Sequence, residues 1–186
     1  MSGYVVWFTG LSAAGKTTIA GGVAAELEAR GVVVDSLDGD VVRTHLSHGL
    51  GFSKEDRDTN IARIAWVASR IARAGGAVLV SAISPYSEAR RRAREQVTQH
   101  APFVEIYVAT PLAECIRRDP KRLYERALAG EIGEMTGVSS PYEAPTAADL
   151  TLDTTDVAPA DSIAAVVACL EELDLVPRSA VRRLVR

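Results

Sequence analysis

The sequence predicts an α/β domain, a three-layer arrangement in which a five-stranded, mainly parallel sheet is flanked by helices. Three observations point there. Short β-rich runs alternate with longer segments at helical spacing along the whole chain. Several runs are apolar at consecutive positions, as strands covered on both faces must be. A glycine-rich turn joins the first run directly to the first helical segment.

The elements follow in order. Tyr4 to Phe8 reads as a fully buried strand that ends in Thr9-Gly10. Gly15 to Arg30 carries Ala, Leu and Glu at helical spacing, and Gly31 stops it. Val32 to Leu37 is a second strand, and Val41 to His48 a short helix closed by Gly49. Asp56 to Ala74 is a long amphipathic helix, with Ile61, Ile64, Ala65, Val67, Ala68, Ile71 and Ala72 on its inner stripe. A third strand spans Ala77 to Ala82, a charged helix Glu88 to His100 and a fourth strand Phe103 to Ala109. Helices are expected over Pro111 to Arg118 and Lys121 to Ala129, a fifth strand over Leu150 to Asp153 and a last helix over Pro159 to Leu173.

With 186 residues, 47% hydrophobic and 24% charged, the chain suits one domain over residues 1–174, followed by a basic tail at 175–186 that carries Arg178, Arg182, Arg183 and Arg186. The net charge of −3 provides no overall positive field for a polyanion, so no nucleic-acid partner is expected and phosphate binding must be local. The first apolar run breaks after Phe8, too short for a signal peptide or membrane span, and no membrane partner is expected. Cys115 and Cys169 match no metal spacing and read as small buried residues, which fits a cytoplasmic setting.

The strongest chemical signal is Gly10-Leu11-Ser12-Ala13-Ala14-Gly15-Lys16-Thr17, followed by Thr18. It fits the phosphate-binding loop pattern G-x-x-x-x-G-K-[ST] in the required context, after a strand and opening a helix. Glycines let the backbone approach phosphate oxygens, and successive N–H groups with the helix dipole form an anion nest. Lys16 adds an ammonium at the β/γ bridge of a nucleoside triphosphate, and Thr17 a hydroxyl for magnesium.

The second strand ends in Leu37-Asp38-Gly39-Asp40, with Arg43 close behind. Ligands of open parallel sheets bind beyond the carboxyl ends of the strands, so Asp38 and Asp40 should face the loop. A carboxylate there can take an acceptor hydroxyl's proton or hold a metal-bound water. Arg43, Arg57 and Arg63 offer forks for phosphate or sulfate oxygens, and Arg57 and Asn60 share a helix face. Phe52 can stack on a base or anchor a loop. Ile83-Ser84-Pro85-Tyr86 leaves the third strand; Ser84 can bind phosphate, be phosphorylated or cap the next helix. A basic run from Arg117 to Arg122, then a Gly-rich stretch, reads as a lid at about 117–145 that closes over phosphates.

Together these residues resemble the adenylyl-sulfate kinase family. The resemblance runs from Trp7 to Leu173. It rests on Trp7-Phe8-Thr9-Gly10-Leu11-Ser12, Leu37-Asp38-Gly39-Asp40 with Arg43, and Leu50-Gly51-Phe52-Ser53 with Arg57 and Asn60-Ile61. It continues through Ile83-Ser84-Pro85-Tyr86, Arg118-Asp119-Pro120-Lys121 with Leu123-Tyr124, Thr136-Gly137 and Ser140-Pro141-Tyr142-Glu143-Ala144-Pro145. It implies a P-loop kinase of sulfate activation that uses ATP and Mg2+ to phosphorylate the 3′-hydroxyl of adenylyl sulfate, and a homodimer. Lys16, Asp40, Ser84 and Lys121 would be catalytic, with Thr17 and Asp40 at magnesium. Arg118 would lie near the ATP adenine. Asp38, Asp40, Arg43, Phe52, Arg57, Asn60, Ile83, Ser84, Lys121, Leu123 and Met135 would contact the acceptor, with Phe52 on its base.

The chain departs from the family's pattern at several positions. Ala13 and Arg122 stand where glycines are usual, Ala62 and Leu128 where arginines are, Ser87 where an arginine is common, and Met135 where a phenylalanine completes a base sandwich. Two alternatives therefore stand beside the resemblance: a P-loop kinase for another nucleotide or metabolite, and a nucleotide-binding partner subunit without catalysis.

Overall fold

The computed structural model describes residues 3–177. The arginines of the basic tail fall outside the described residues. The elements run β1 (Tyr4–Thr9), α1 (Lys16–Ala29), β2 (Val34–Asp38), α2 (Gly39–His45), α3 (Lys54–Arg73), β3 (Ala77–Ser81), α4 (Ser87–Thr98), β4 (Phe103–Val108), α5 (Leu112–Arg118), α6 (Leu123–Leu128), β5 (Leu150–Leu152) and α7 (Pro159–Glu172). Every strand pairing is parallel, in the order β2-β3-β1-β4-β5.

The sheet has two apolar faces because side chains alternate along each strand. On β1, Tyr4, Val6 and Phe8 pack with Ile19, Val23 and Leu27 of α1 and Val166 and Leu170 of α7. Val5 and Trp7 point the other way, against Ile61, Ile64, Ala65 and Ala68 of α3 and Ala89 and Ala93 of α4. All six residues of β1 are buried. A strand enclosed in this way tolerates apolar residues at every position, which is why its run is unbroken.

Parallel strands place their carboxyl ends on one edge. From β1 the chain crosses to β2 and returns through β3 on one side, then places β4 and β5 on the other. The loop after β1 therefore lies at the point where the strand order reverses, where open α/β sheets hold ligands. Among the described residues, no helix is long and apolar enough to cross a membrane.

Candidate active site

The loop after β1 is shaped by its backbone. A Cβ on Gly10 would come within 2.4 Å of the Val108 carbonyl oxygen, so only glycine lets β1 turn against β4 there. Gly15 precedes α1 with φ 106°, and neither a capping side chain nor an acidic residue occupies the helix's first turn. The first N–H groups of α1 are thus left for an anion. Ala13 is also left-handed, at φ 60°, which explains the glycine usual at that position.

Lys16 lies under this loop, 8% exposed, and donates to the carbonyls of Gly10 at 3.0 Å and Leu11 at 2.7 Å. Burial pushes its pKa down to about 8. A phosphate anion beside it would favour the charged form.

The loop opens into a cleft of about 1230 Å³. Its wall includes Ser12, Ala13, Gly15, Lys16, Thr17 and Thr18 from the loop, Asp38, Asp40 and Arg43 from the end of β2 and α2, and Phe52, Arg57 and Asn60 from around α3. Ile83 and Ser84 follow β3, and Arg118, Lys121, Leu123 and Met135 come from the lid region. Gly10, Leu11 and Ala14 stand behind this wall; Ala14 is fully buried.

The two aspartates have different partners. Asp38 accepts from the Thr17 hydroxyl at 2.8 Å through one oxygen and caps α2 through the other, from the Asp40 N–H at 2.9 Å. Asp40 forms an ion pair with Lys121, which joins α2 to the segment between α5 and α6. The resemblance implies magnesium at Thr17 and Asp40; the carboxylate that touches Thr17 is that of Asp38. This hydroxyl and two carboxylates are hard oxygen donors and suit magnesium, which commonly keeps few protein ligands and shares substrate phosphates.

At the α3 wall of the cleft Phe52 is 55% exposed, which excludes the reading of a core anchor. The Arg43 guanidinium sits 4.4 Å from its ring centroid, and that of Arg57 sits 5.6 Å away. Arg57 itself is 7% exposed. It donates to the carbonyl of Phe52 at 2.7 Å, to the Thr136 hydroxyl at 2.9 Å and to the carbonyl of Glu134, so it also ties α3 to the lid loop. Asn60 is 6% exposed, and its amide oxygen has no hydrogen-bond partner. Arg63 does not line the cleft; it donates to the Leu46 carbonyl at 2.9 Å.

Ser84 is 1% exposed and left-handed at φ 48°. It does not cap α4, whose cap position is Tyr86. Its hydroxyl accepts from the Trp7 indole at 3.0 Å, and Arg90 donates to its carbonyl at 2.7 Å. Trp7 and Arg90 were not singled out from the sequence as site residues. Trp7 reads there as strand core and as the first residue of the family-like run Trp7-Phe8-Thr9-Gly10-Leu11-Ser12, and Arg90 as one charge among many on a helix.

The lid region is fixed at both ends. Glu114 accepts from Arg117 and Arg118, which pull its carboxyl down to about 2. The Tyr124 hydroxyl reaches the Ser12 carbonyl at 3.1 Å. Tyr142 and Thr9 share a hydrogen bond of 2.9 Å, and Glu143 accepts from the N–H and hydroxyl of Ser87.

Residues 2–153 match the family model for adenylylsulphate kinase. The chain belongs to the adenylylsulphate kinase family. It is 53% identical over 176 residues to an adenylyl-sulfate kinase of Chloroflexus aurantiacus, an overlap covering 94% of this chain and 92% of that one. It is 53% identical over 178 residues to a probable bifunctional SAT/APS kinase of Sorangium cellulosum, where the match covers 96% of this chain and only 30% of that relative. The APS kinase of Mycobacterium tuberculosis, solved in complex with AMPPNP and APS, superposes with a TM-score of 0.89 at 43% identity, over 91% of this chain and 98% of that one.

Proposed function

We propose that the chain transfers the γ-phosphoryl group of ATP to the 3′-hydroxyl of adenylyl sulfate, giving ADP and 3′-phosphoadenylyl sulfate. The observation that carries this reading is a convergence in one cleft. The phosphate loop, the Asp38–Thr17 contact and the Asp40–Lys121 pair meet a base platform flanked by two arginines.

Each residue has a physical task. The loop N–H groups and Lys16 hold the β- and γ-phosphates, and Arg118 lies on the ATP base side. Thr17, with Asp38 and Asp40 close by, would hold Mg2+, which neutralises charge on the phosphate oxygens. Phe52 and Met135 flank the acceptor base, while Arg43, Arg57 and Asn60 hold its phosphosulfate, with Ile83, Ser84 and Leu123 around them. The 3′-oxygen forms its bond to phosphorus as the bond to the ADP oxygen breaks, and Asp40 takes the hydroxyl proton. Lys121 is then placed to meet charge developing on the transferred group. Transfer is direct, because the Ser84 hydroxyl is buried against Trp7 and a covalent phosphoserine would require two displacements. The cytoplasmic, homodimeric form implied by the resemblance belongs to this proposal, and light scattering measures the dimer.

The test is an acceptor screen: ATP turnover with and without adenylyl sulfate, and with other nucleotides. Stimulation by adenylyl sulfate alone is expected. Turnover only with a different acceptor would replace this reading by that of a P-loop kinase for another metabolite.

A further inference from the structure

Thr110 lies just beyond β4 and Thr154 just beyond β5, and neither belongs to the motifs described above. Both are buried, at 3% and 8% exposure. Each hydroxyl lies 3.0 Å from the carbonyl oxygen of Ala14, and the two lie 2.7 Å from each other. Arg118 donates to the Thr154 hydroxyl and to the Thr154 carbonyl, each at 2.7 Å. The Thr154 side chain also stands 3.7 Å from where a Cβ of Gly15 would be.

We infer that Thr154 and Thr110 are positioning residues that aim the Gly15 N–H into the phosphate cradle and couple it to Arg118. The reason is peptide geometry. In a trans peptide the C=O and the N–H point in opposite directions. Whatever grips the Ala14 oxygen from behind therefore fixes the direction of the Gly15 hydrogen in front. Among the described residues that N–H meets no protein acceptor. Two hydroxyl protons serve three contacts, so one threonine donates to Ala14 and the other donates to its neighbour. Arg118 fills a lone pair of Thr154 and orients that hydroxyl. The strand-end loops beyond β4 and β5 thereby act on the loop beyond β1, and a residue placed toward the nucleotide base shares a hydrogen-bonded chain with one facing the phosphates.

This inference rests on the proposed use of ATP but not on the identity of the acceptor. The test compares Thr154→Ala with Thr154→Ser, a pair that differs only by the hydroxyl, together with Thr110→Ala and Thr110→Ser. Binding of Mg–ATP and of inorganic tripolyphosphate, which has no base, is measured by calorimetry, beside KM for each substrate. Loss of one such hydrogen bond should weaken both probes about three- to tenfold in each alanine variant. KM for ATP should rise likewise while KM for the acceptor stays within about twofold, and each serine variant should recover. Unchanged affinity in both alanine variants would overturn the inference, as would a loss that serine does not restore. If one alanine variant fails to fold, the other alanine and serine pair decides. A wild-type protein that binds neither probe would instead overturn the proposed function.

Discussion

Ala13 and Arg122 are the residues at which the backbone explains a peculiarity of the sequence. Both replace glycines usual in the family, and both are left-handed, at φ 60° and 54°. A side chain in that region costs roughly 1–2 kcal/mol, offset in part by the extra freedom glycine gives the unfolded chain, roughly 0.4–1 kcal/mol. Arg122→Gly should therefore raise stability by about 0.5–1 kcal/mol, and a thermal melt should move up by a few degrees. A lower melting temperature would mean that the exposed Arg122–Glu125 pair contributes more than such surface pairs usually do. Phe52 carries the second prediction at this scale. Phe52→Ala should weaken acceptor binding by about 1–3 kcal/mol and leave ATP binding alone, which calorimetry with each substrate measures. The loop residues were legible because their pattern and their place between strand and helix are both local in sequence. The Thr110–Thr154 pair and the Trp7–Ser84 contact were not. They join residues 44 and 77 positions apart, and no single residue among them has an unusual identity.

Helix boundaries moved for reasons visible in the caps. The helix expected from Val41 begins at Gly39, because the Asp38 carboxylate accepts from the Asp40 N–H. The one expected from Asp56 begins at Lys54, because Ser53 caps it from 3.2 Å. The one expected from Lys121 begins at Leu123, since Arg122 is left-handed and Asp119 accepts from the N–H groups of Leu123 and Glu125. Apolar spacing locates a helix's middle, whereas its ends depend on which polar side chain turns back. In α5, Glu114 has its carboxyl held at about 2 by Arg117 and Arg118, against an ordinary value of 4.5. A carboxyl whose folded pKa is depressed stabilises the fold above its unfolded value and loses that contribution as pH falls through the folded one. Glu114→Gln should be less stable than wild type at pH 6, and the gap should close as pH falls from about 4.5 to below about 2. Urea unfolding at pH 6 and at pH 2 measures it, and a gap that stays constant would contradict the assignment.

For the whole molecule, the parallel sheet was legible in the alternation of elements, and the strand order β2-β3-β1-β4-β5 was not. Periodicity says which residues are buried but not which strand lies beside which. That order gives the site its shape, since it sets the loop after β1 between the ends of β3 and β4, with β2's aspartates one strand further out. The lid reading over about 117–145 meets a chain stitched down from Tyr142 onward to β1 and α4, and held earlier by the Lys121–Asp40, Tyr124–Ser12 and Arg57–Thr136 contacts. In the proposed reaction the phosphate loop and the carboxylates beyond β2 act as one catalytic unit. Lys16→Ala and Asp40→Asn should each keep the fold by circular dichroism. The direct measurement is the rate at which 3′-phosphorylated product forms from ATP and adenylyl sulfate, with ADP followed beside it. The wild type should form one product per ADP, and either variant almost no product at all; near-normal product from Lys16→Ala or Asp40→Asn would contradict this role for the loop and the carboxylates.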